Sequence, residues 1–120
     1  MLLVEDNEVY RDSLAFLLAR HEGIEVAGVV GTAAAAPGAS VNLAADVAVV
    51  DYRLPDEDGL QAAELIRARS PSTAIVFLSA SAGDEERGAA RRAGADLIRK
   101  DDGVDTLVGA VRAAAGRRGA

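Results

Sequence analysis

A chain of 120 residues with a formal charge of −6, half its residues apolar and no cysteine has the length of one compact domain. It holds no apolar run near the roughly 20 residues that span a bilayer, no signal peptide and no thiol or disulfide chemistry, so no membrane partner and a cytoplasmic location are expected. Its acidity excludes a nucleic-acid backbone as the partner of this segment, and among its 13 basic residues only Lys100 is lysine.

Met1 to Val4 reads as a first strand, short because only four residues precede Glu5, as in a chain that begins late. Tyr10, Leu14, Leu17, Leu18 and His21 then recur at helical spacing. His21, the sole histidine, falls near the helix end, where it suits the helix dipole. Ile24 to Val30 is a second apolar run. The stretch from Thr32 to Ala45 should carry the second helix, yet Pro37-Gly38 interrupts it. A proline inside a helix costs about 3 kcal/mol, so a short, kinked or displaced helix is predicted. Val47 to Val50 is the third strand, and Gly59 precedes a helix marked by Leu60, Ala63, Leu65 and Ile66. Ala74 to Leu78 is the fourth strand, followed by an arginine-rich helix over Asp84 to Ala93. Asp96 to Arg99 is a fifth, weaker strand. The last helix puts Val104, Leu107, Val108 and Val111 on one face, with Asp102 as its cap.

The strands are apolar nearly throughout rather than alternating, as parallel strands buried on both faces must be. Alternating strands and helices predict an α/β fold with a single, doubly wound, five-stranded parallel sheet. One domain covers residues 1–115, with 116–120 as a tail or the start of a linker.

Ligands of such sheets sit beyond the carboxyl ends of the strands. Those ends are Glu5 and Asp6, Asp51, Ser79 and Lys100. Three acids on one rim repel unless cations intervene. A hard divalent ion, best magnesium, together with an ammonium group would satisfy them and leave positions open for phosphate oxygens. Aspartate can attack phosphorus; Lys100 would then neutralise the phosphoryl oxygens and Ser79 donate to one of them. Taken singly, Glu5-Asp6 reads as a helix cap, Asp51 as the start of a turn, Ser79 as a backbone-bonded serine and Lys100 as a solvated lysine. Their joint placement at one rim outweighs those readings. The acidic loop Asp56, Glu57 and Asp58 reads as solvated, with kinase docking as its alternative, and Arg87, Arg91 and Arg92 read as a solvated face, with a partner surface as theirs.

The runs LLVEDN, VAVVDYRLPDEDG, FLSAS and RKD closely resemble the receiver domain of bacterial two-component response regulators. The resemblance covers essentially the whole chain and implies a flavodoxin-like sheet of order 2-1-3-4-5. It implies Asp51 as the phosphoacceptor for a sensor histidine kinase, with Asp6 as a direct magnesium ligand and Glu5 as its acidic neighbour. The backbone carbonyl of Arg53 would complete the protein's share of the Mg2+ coordination. Ser79 resembles the switch hydroxyl, Lys100 the lysine bridging acids and phosphate, and Ala80 the small residue leaving room for the phosphoryl group. Homodimerisation on phosphorylation, or release of an attached output, would follow; the pattern looks most like receivers attached to LuxR-type helix-turn-helix regulators. Three features depart from the pattern. Leu97 stands where an aromatic residue is usual, the segment from Gly94 to Lys100 looks one residue short, and Asp101 replaces a proline.

Three rivals are weighed beside this reading. A phosphatase with an aspartate nucleophile needs an acid/base aspartate two residues on, where this chain has Arg53. A flavodoxin-like cofactor binder needs a Ser/Thr-rich phosphate loop after the first strand, and none follows. An atypical receiver acting as a phosphorylation-independent dimerisation or interaction module is favoured by Leu97 and the shortened fifth strand.

Overall fold

Five parallel strands form one sheet, with the second strand of the chain at one edge, followed by the first, third, fourth and fifth. In the computed structural model, which describes residues 1–81 and 83–117, the strands are β1 (Leu2–Val4), β2 (Gly28–Val30), β3 (Val47–Asp51), β4 (Ala74–Ser79) and β5 (Asp96–Arg99). They alternate with α1 (Glu8–Ala19), α2 (Ala36–Leu43), α3 (Gly59–Arg69), α4 (Asp84–Arg92) and α5 (Val104–Arg117), the doubly wound arrangement expected. Among the described residues no helix is long and apolar enough to cross a membrane.

Alternate residues of the buried strands feed two cores. Leu3, Val49, Val76 and Leu78 pack against Leu14 and Leu18 of α1 and Leu107, Val108 and Val111 of α5. Val4, Val50, Phe77 and Leu97 pack on the opposite face with Ala36, Ala62, Ala63, Ile66 and Ala90 of α2, α3 and α4. With few aromatic residues, the cores are filled by Val, Leu, Ile and Ala around Phe77, which meets the Tyr52 ring edge-on at 5.6 Å.

Several local expectations need correction. The second strand spans only Gly28–Val30, because the Ile24 N–H turns back to the His21 carbonyl at 3.1 Å. His21 does fall near the end of α1, one residue past its C-cap Arg20, and approaches Asp105 at 3.7 Å. Leu65 is exposed and Ala62 takes its place in the core. Asp102 does not cap α5; its carboxylate accepts the Arg99 N–H at 3.1 Å, closing a single 3-10 turn over Lys100–Asp102. Gly103, at φ +94, then redirects the chain into α5.

The irregular second helix is short, as expected, and Pro37 lies in its first turn. There the missing N–H costs no hydrogen bond, so the proline starts the helix rather than breaking it. Of the expected tail, Gly116 and Arg117 continue α5, and residues 118–120 lie outside the described residues.

Candidate functional site

Strand register sets the site. Val4 of β1 pairs with Val50 of β3, so Glu5 and Asp51 stand level at the carboxyl ends of adjacent strands. Asp51 pairs with Leu78, which puts Ser79 one step beyond on the next strand. Glu5, Asp51 and Ser79 are buried, while Asp6 is exposed at the rim. Carboxylate oxygens of Glu5, Asp6 and Asp51 lie within 4.8 Å of one another.

Lys100 enters from the end of β5 and reaches over β4. Its Nζ donates to Glu5 Oε1 at 2.6 Å and to Asp51 Oδ2 at 3.1 Å. Burial alone would lower the pKa of this ammonium. The hydrogen bond to Glu5 and the charge of Asp51 outweigh burial and hold it above the ordinary lysine value. The second Glu5 oxygen, Oε2, accepts the Asn7 N–H at 3.1 Å, and Asp51 Oδ1 accepts the Arg53 N–H at 3.1 Å. Ser79 Oγ donates to the Ser81 carbonyl.

Glu5, Asp6, Asp51 and Lys100 therefore meet as one cluster, with Ser79 on the neighbouring strand end and the backbone of Arg53 against Asp51. The donor set fits a hard divalent ion. It is all oxygen, it gathers three carboxylates, and the exposure of Asp6 leaves one side open to water or phosphate oxygens.

Four features of the site were not legible from strand ends. Tyr10, read only as part of the apolar stripe of the first helix, lays its ring under the Lys100 ammonium, with Nζ 4.6 Å from the ring centroid. The signal was its position four residues, about one helical turn, after Asp6. Asn7 caps α1 by accepting the Tyr10 N–H at 2.9 Å. Asp56 is not merely solvated: its two carboxylate oxygens accept the Ala33 and Ala34 N–H groups at 2.9 and 3.1 Å, tying the β3–α3 loop to the β2–α2 loop. Asp58 caps α3 through the Gln61 N–H at 2.8 Å, which leaves Glu57 as the solvated member of that loop.

Gly59 explains how α3 can start so close to the end of β3. A Cβ there would stand 2.6 Å from the Asp51 carbonyl oxygen and 2.7 Å from the Tyr52 Cα. On the opposite side, a groove of about 260 Å³ runs beside Lys100 between α1 and α5, lined by Tyr10, Leu14, Leu17, Val104 and Leu107. Arg87, expected to be solvated, is half-buried and donates to the Leu97 carbonyl at 3.0 Å, while Arg91 and Arg92 are exposed.

The comparisons with known proteins agree with this architecture. The family profile described as response regulator receiver domain matches residues 1–112. The chain is 36% identical over 100% of its length to the sensory transduction protein RegX3 of Mycolicibacterium smegmatis, of which it spans 51%. Over 71% of its length it is 34% identical to the DNA-binding transcriptional activator DevR/DosR of Mycobacterium tuberculosis, spanning 39% of that protein. Over 64% it is 34% identical to a protein-glutamate methylesterase/protein-glutamine glutaminase of Anaeromyxobacter dehalogenans, spanning 23%. It thus covers about half or less of each of these relatives. Among solved structures, the signal receiver domain of the putative response regulator NarL from Mycobacterium tuberculosis superposes with a TM-score of 0.87 at 28% identity, covering 97% of this chain and 94% of that one. A LuxR-family two-component response regulator from Aurantimonas sp. SI85-9A1 gives 0.89 at 26% identity, covering 96% and 83%. With sheet order, rim and profile in agreement over nearly its whole length, the chain belongs to the response regulator receiver domain family, and DNA-binding regulators stand among its relatives.

Proposed function

We propose that this domain is the phosphoacceptor of a two-component system, taking a phosphoryl group on Asp51 from a phosphohistidine of a sensor kinase in the cytoplasm. The observation that carries this reading is Lys100 Nζ held between Glu5 and Asp51 at 2.6 and 3.1 Å, with Asp6 beside them. An Asp51 carboxylate oxygen attacks phosphorus, forming an acyl phosphate. The N–P bond to the imidazole breaks, and the imidazole leaves with the bonding pair. Magnesium, held by Asp6, Asp51, the Arg53 carbonyl and Glu5 directly or through water, would supply charge neutralisation at the phosphoryl oxygens when bound.

Lys100 already sits where those oxygens arrive and neutralises one of them. Ser79 exchanges its bond to the Ser81 carbonyl for one to the phosphoryl group, with Ala80 leaving room. That exchange releases the loop after β4 and shifts the surface of α4 and α5. Dimerisation, or the activity of an attached DNA-binding segment, would read that shift. The domain itself makes no nucleic-acid contact and turns over no substrate; Arg53 stands where a phosphatase would need its acid/base aspartate.

Incubation with magnesium and acetyl phosphate tests the reading by intact mass. One phosphoryl group should be gained, and none in Asp51→Asn. Failure of the wild type to gain it, or an undiminished gain in Asp51→Asn, overturns the proposal.

A second reading, a phosphorylation-independent interaction module, is favoured by Leu97. This aliphatic side chain is buried in the α2–α4 core where the family pattern has an aromatic reporter. An oligomeric state unchanged by beryllofluoride with magnesium supports it; a shifted one excludes it.

A further inference from the structure

We propose that Tyr10 is a positioning residue for Lys100, its ring forming a wall that keeps the ammonium over the acidic pocket whatever cation occupies that pocket. The inference rests on the phosphoacceptor reading above and names a residue that reading does not use.

Lys100 ends in a compact charge on a flexible four-carbon stem. Its side chain remains 23% exposed, so a path to solvent is open. Three groups hold it: Glu5 Oε1, Asp51 Oδ2 and the face of the Tyr10 ring. The two carboxylates hold it only as strongly as their net charge allows. A divalent cation shared by Glu5, Asp6 and Asp51 competes for the same oxygens, and a phosphoryl group rearranges the charge again. The ring is different. Its quadrupole attracts a cation independently of metal or phosphate, so its hold persists through the reaction.

The ring is itself well anchored. Glu5 Oε2 accepts the Asn7 N–H, Asn7 Oδ1 accepts the Tyr10 N–H, and the ring lies half-buried at the head of the α1–α5 groove. The same glutamate that binds Lys100 through one oxygen thus fixes, through the other, the helical turn that carries the ring.

Because Lys100 is the only lysine, lysine labelled with carbon-13 at the ε position reports it as a single resonance. In the wild-type chain, with magnesium present, the ε-protons should lie upfield from the ring current. Tyr10→Phe should keep this shift and phosphorylate from acetyl phosphate within about twofold of wild type. Tyr10→Leu keeps apolar bulk and removes the ring face. It should lose the shift, and its maximal phosphorylation rate at saturating magnesium should fall about three- to tenfold. Amide spectra and thermal melts establish that each variant is folded. An unshifted wild-type resonance, a folded Tyr10→Leu protein phosphorylating at the wild-type rate, or a Tyr10→Phe loss equal to that of Tyr10→Leu overturns the proposal. If the wild type takes no phosphoryl group, the phosphoacceptor reading falls instead. The lysine resonance then decides the placement of Lys100 by itself.

Discussion

Lys100 Nζ and Glu5 Oε1 are 2.6 Å apart although 95 residues separate them in sequence. The same ammonium reaches Asp51, so one flexible side chain links the ends of β1, β3 and β5. Replacing it removes the cation and leaves two buried carboxylates facing one another. Lys100→Gln should therefore phosphorylate far more slowly than wild type from acetyl phosphate. It should also bind magnesium more tightly, by about three- to tenfold, because the competing positive charge is gone. Calorimetric titration with magnesium checks the second outcome, and weaker binding would contradict the pocket electrostatics described above.

Asp56 gives the fold an acid-sensitive tether. The Ala33 N–H, and after it the Ala34 N–H, hold its carboxyl below the ordinary aspartate value. A group whose folded pKa is depressed stabilises the fold above its unfolded value and loses that contribution as pH falls through the folded one. Wild type should thus melt higher than Asp56→Ala at neutral pH. The gap should close below about pH 4. Melting curves across that range provide the check, and a gap independent of pH would assign the tether no charge.

Gly59→Ala should be destabilising by about 1–3 kcal/mol, because its Cβ would meet backbone atoms of Asp51 and Tyr52, which cannot rotate aside. Chemical denaturation measures this directly. Since the displaced strand end carries Asp51, the proposed phosphoacceptor, phosphorylation should slow in the same variant.

Ala44 closes α2 at φ +48, ψ +48, in the left-handed region that favours glycine. Ala44→Gly should raise stability by about 0.5–1 kcal/mol without touching the site, since relief of the Cβ clash exceeds the added chain entropy. Unchanged or lowered stability in denaturant would show that the strain is relieved elsewhere.

Leu97 marks where the chain parts from its family pattern. Its side chain is buried in the α2–α4 core and its carbonyl accepts Arg87 Nη1, so α4 is latched to β5 by an arginine. Nothing about Arg87 in sequence distinguished it from Arg91 and Arg92, which are exposed. The difference arises from which side of α4 faces β5.

The sequence by itself determined the fold class, the five strands and the acidic cluster at their ends. Buried parallel strands must be apolar through their length, and residues immediately after such runs lie at the ligand-binding edge. It also predicted a short second helix, although Pro37 begins that helix rather than breaking it. Only the tertiary structure decided which partners the long and polar side chains find. Tyr10 meets Lys100 because the lysine side chain reaches from the end of β5 across the rim to α1, and Asp56 finds Ala33 and Ala34 because two loops from different strands come together. Asp102 turns back to Arg99 rather than forward to α5 because the 3-10 turn carries the chain round to Gly103. Periodicity and strand ends are local properties of the chain. The reach of a side chain across neighbouring elements is set by packing; spacing in sequence puts Tyr10 on the site's side of α1 but does not name the partner it meets.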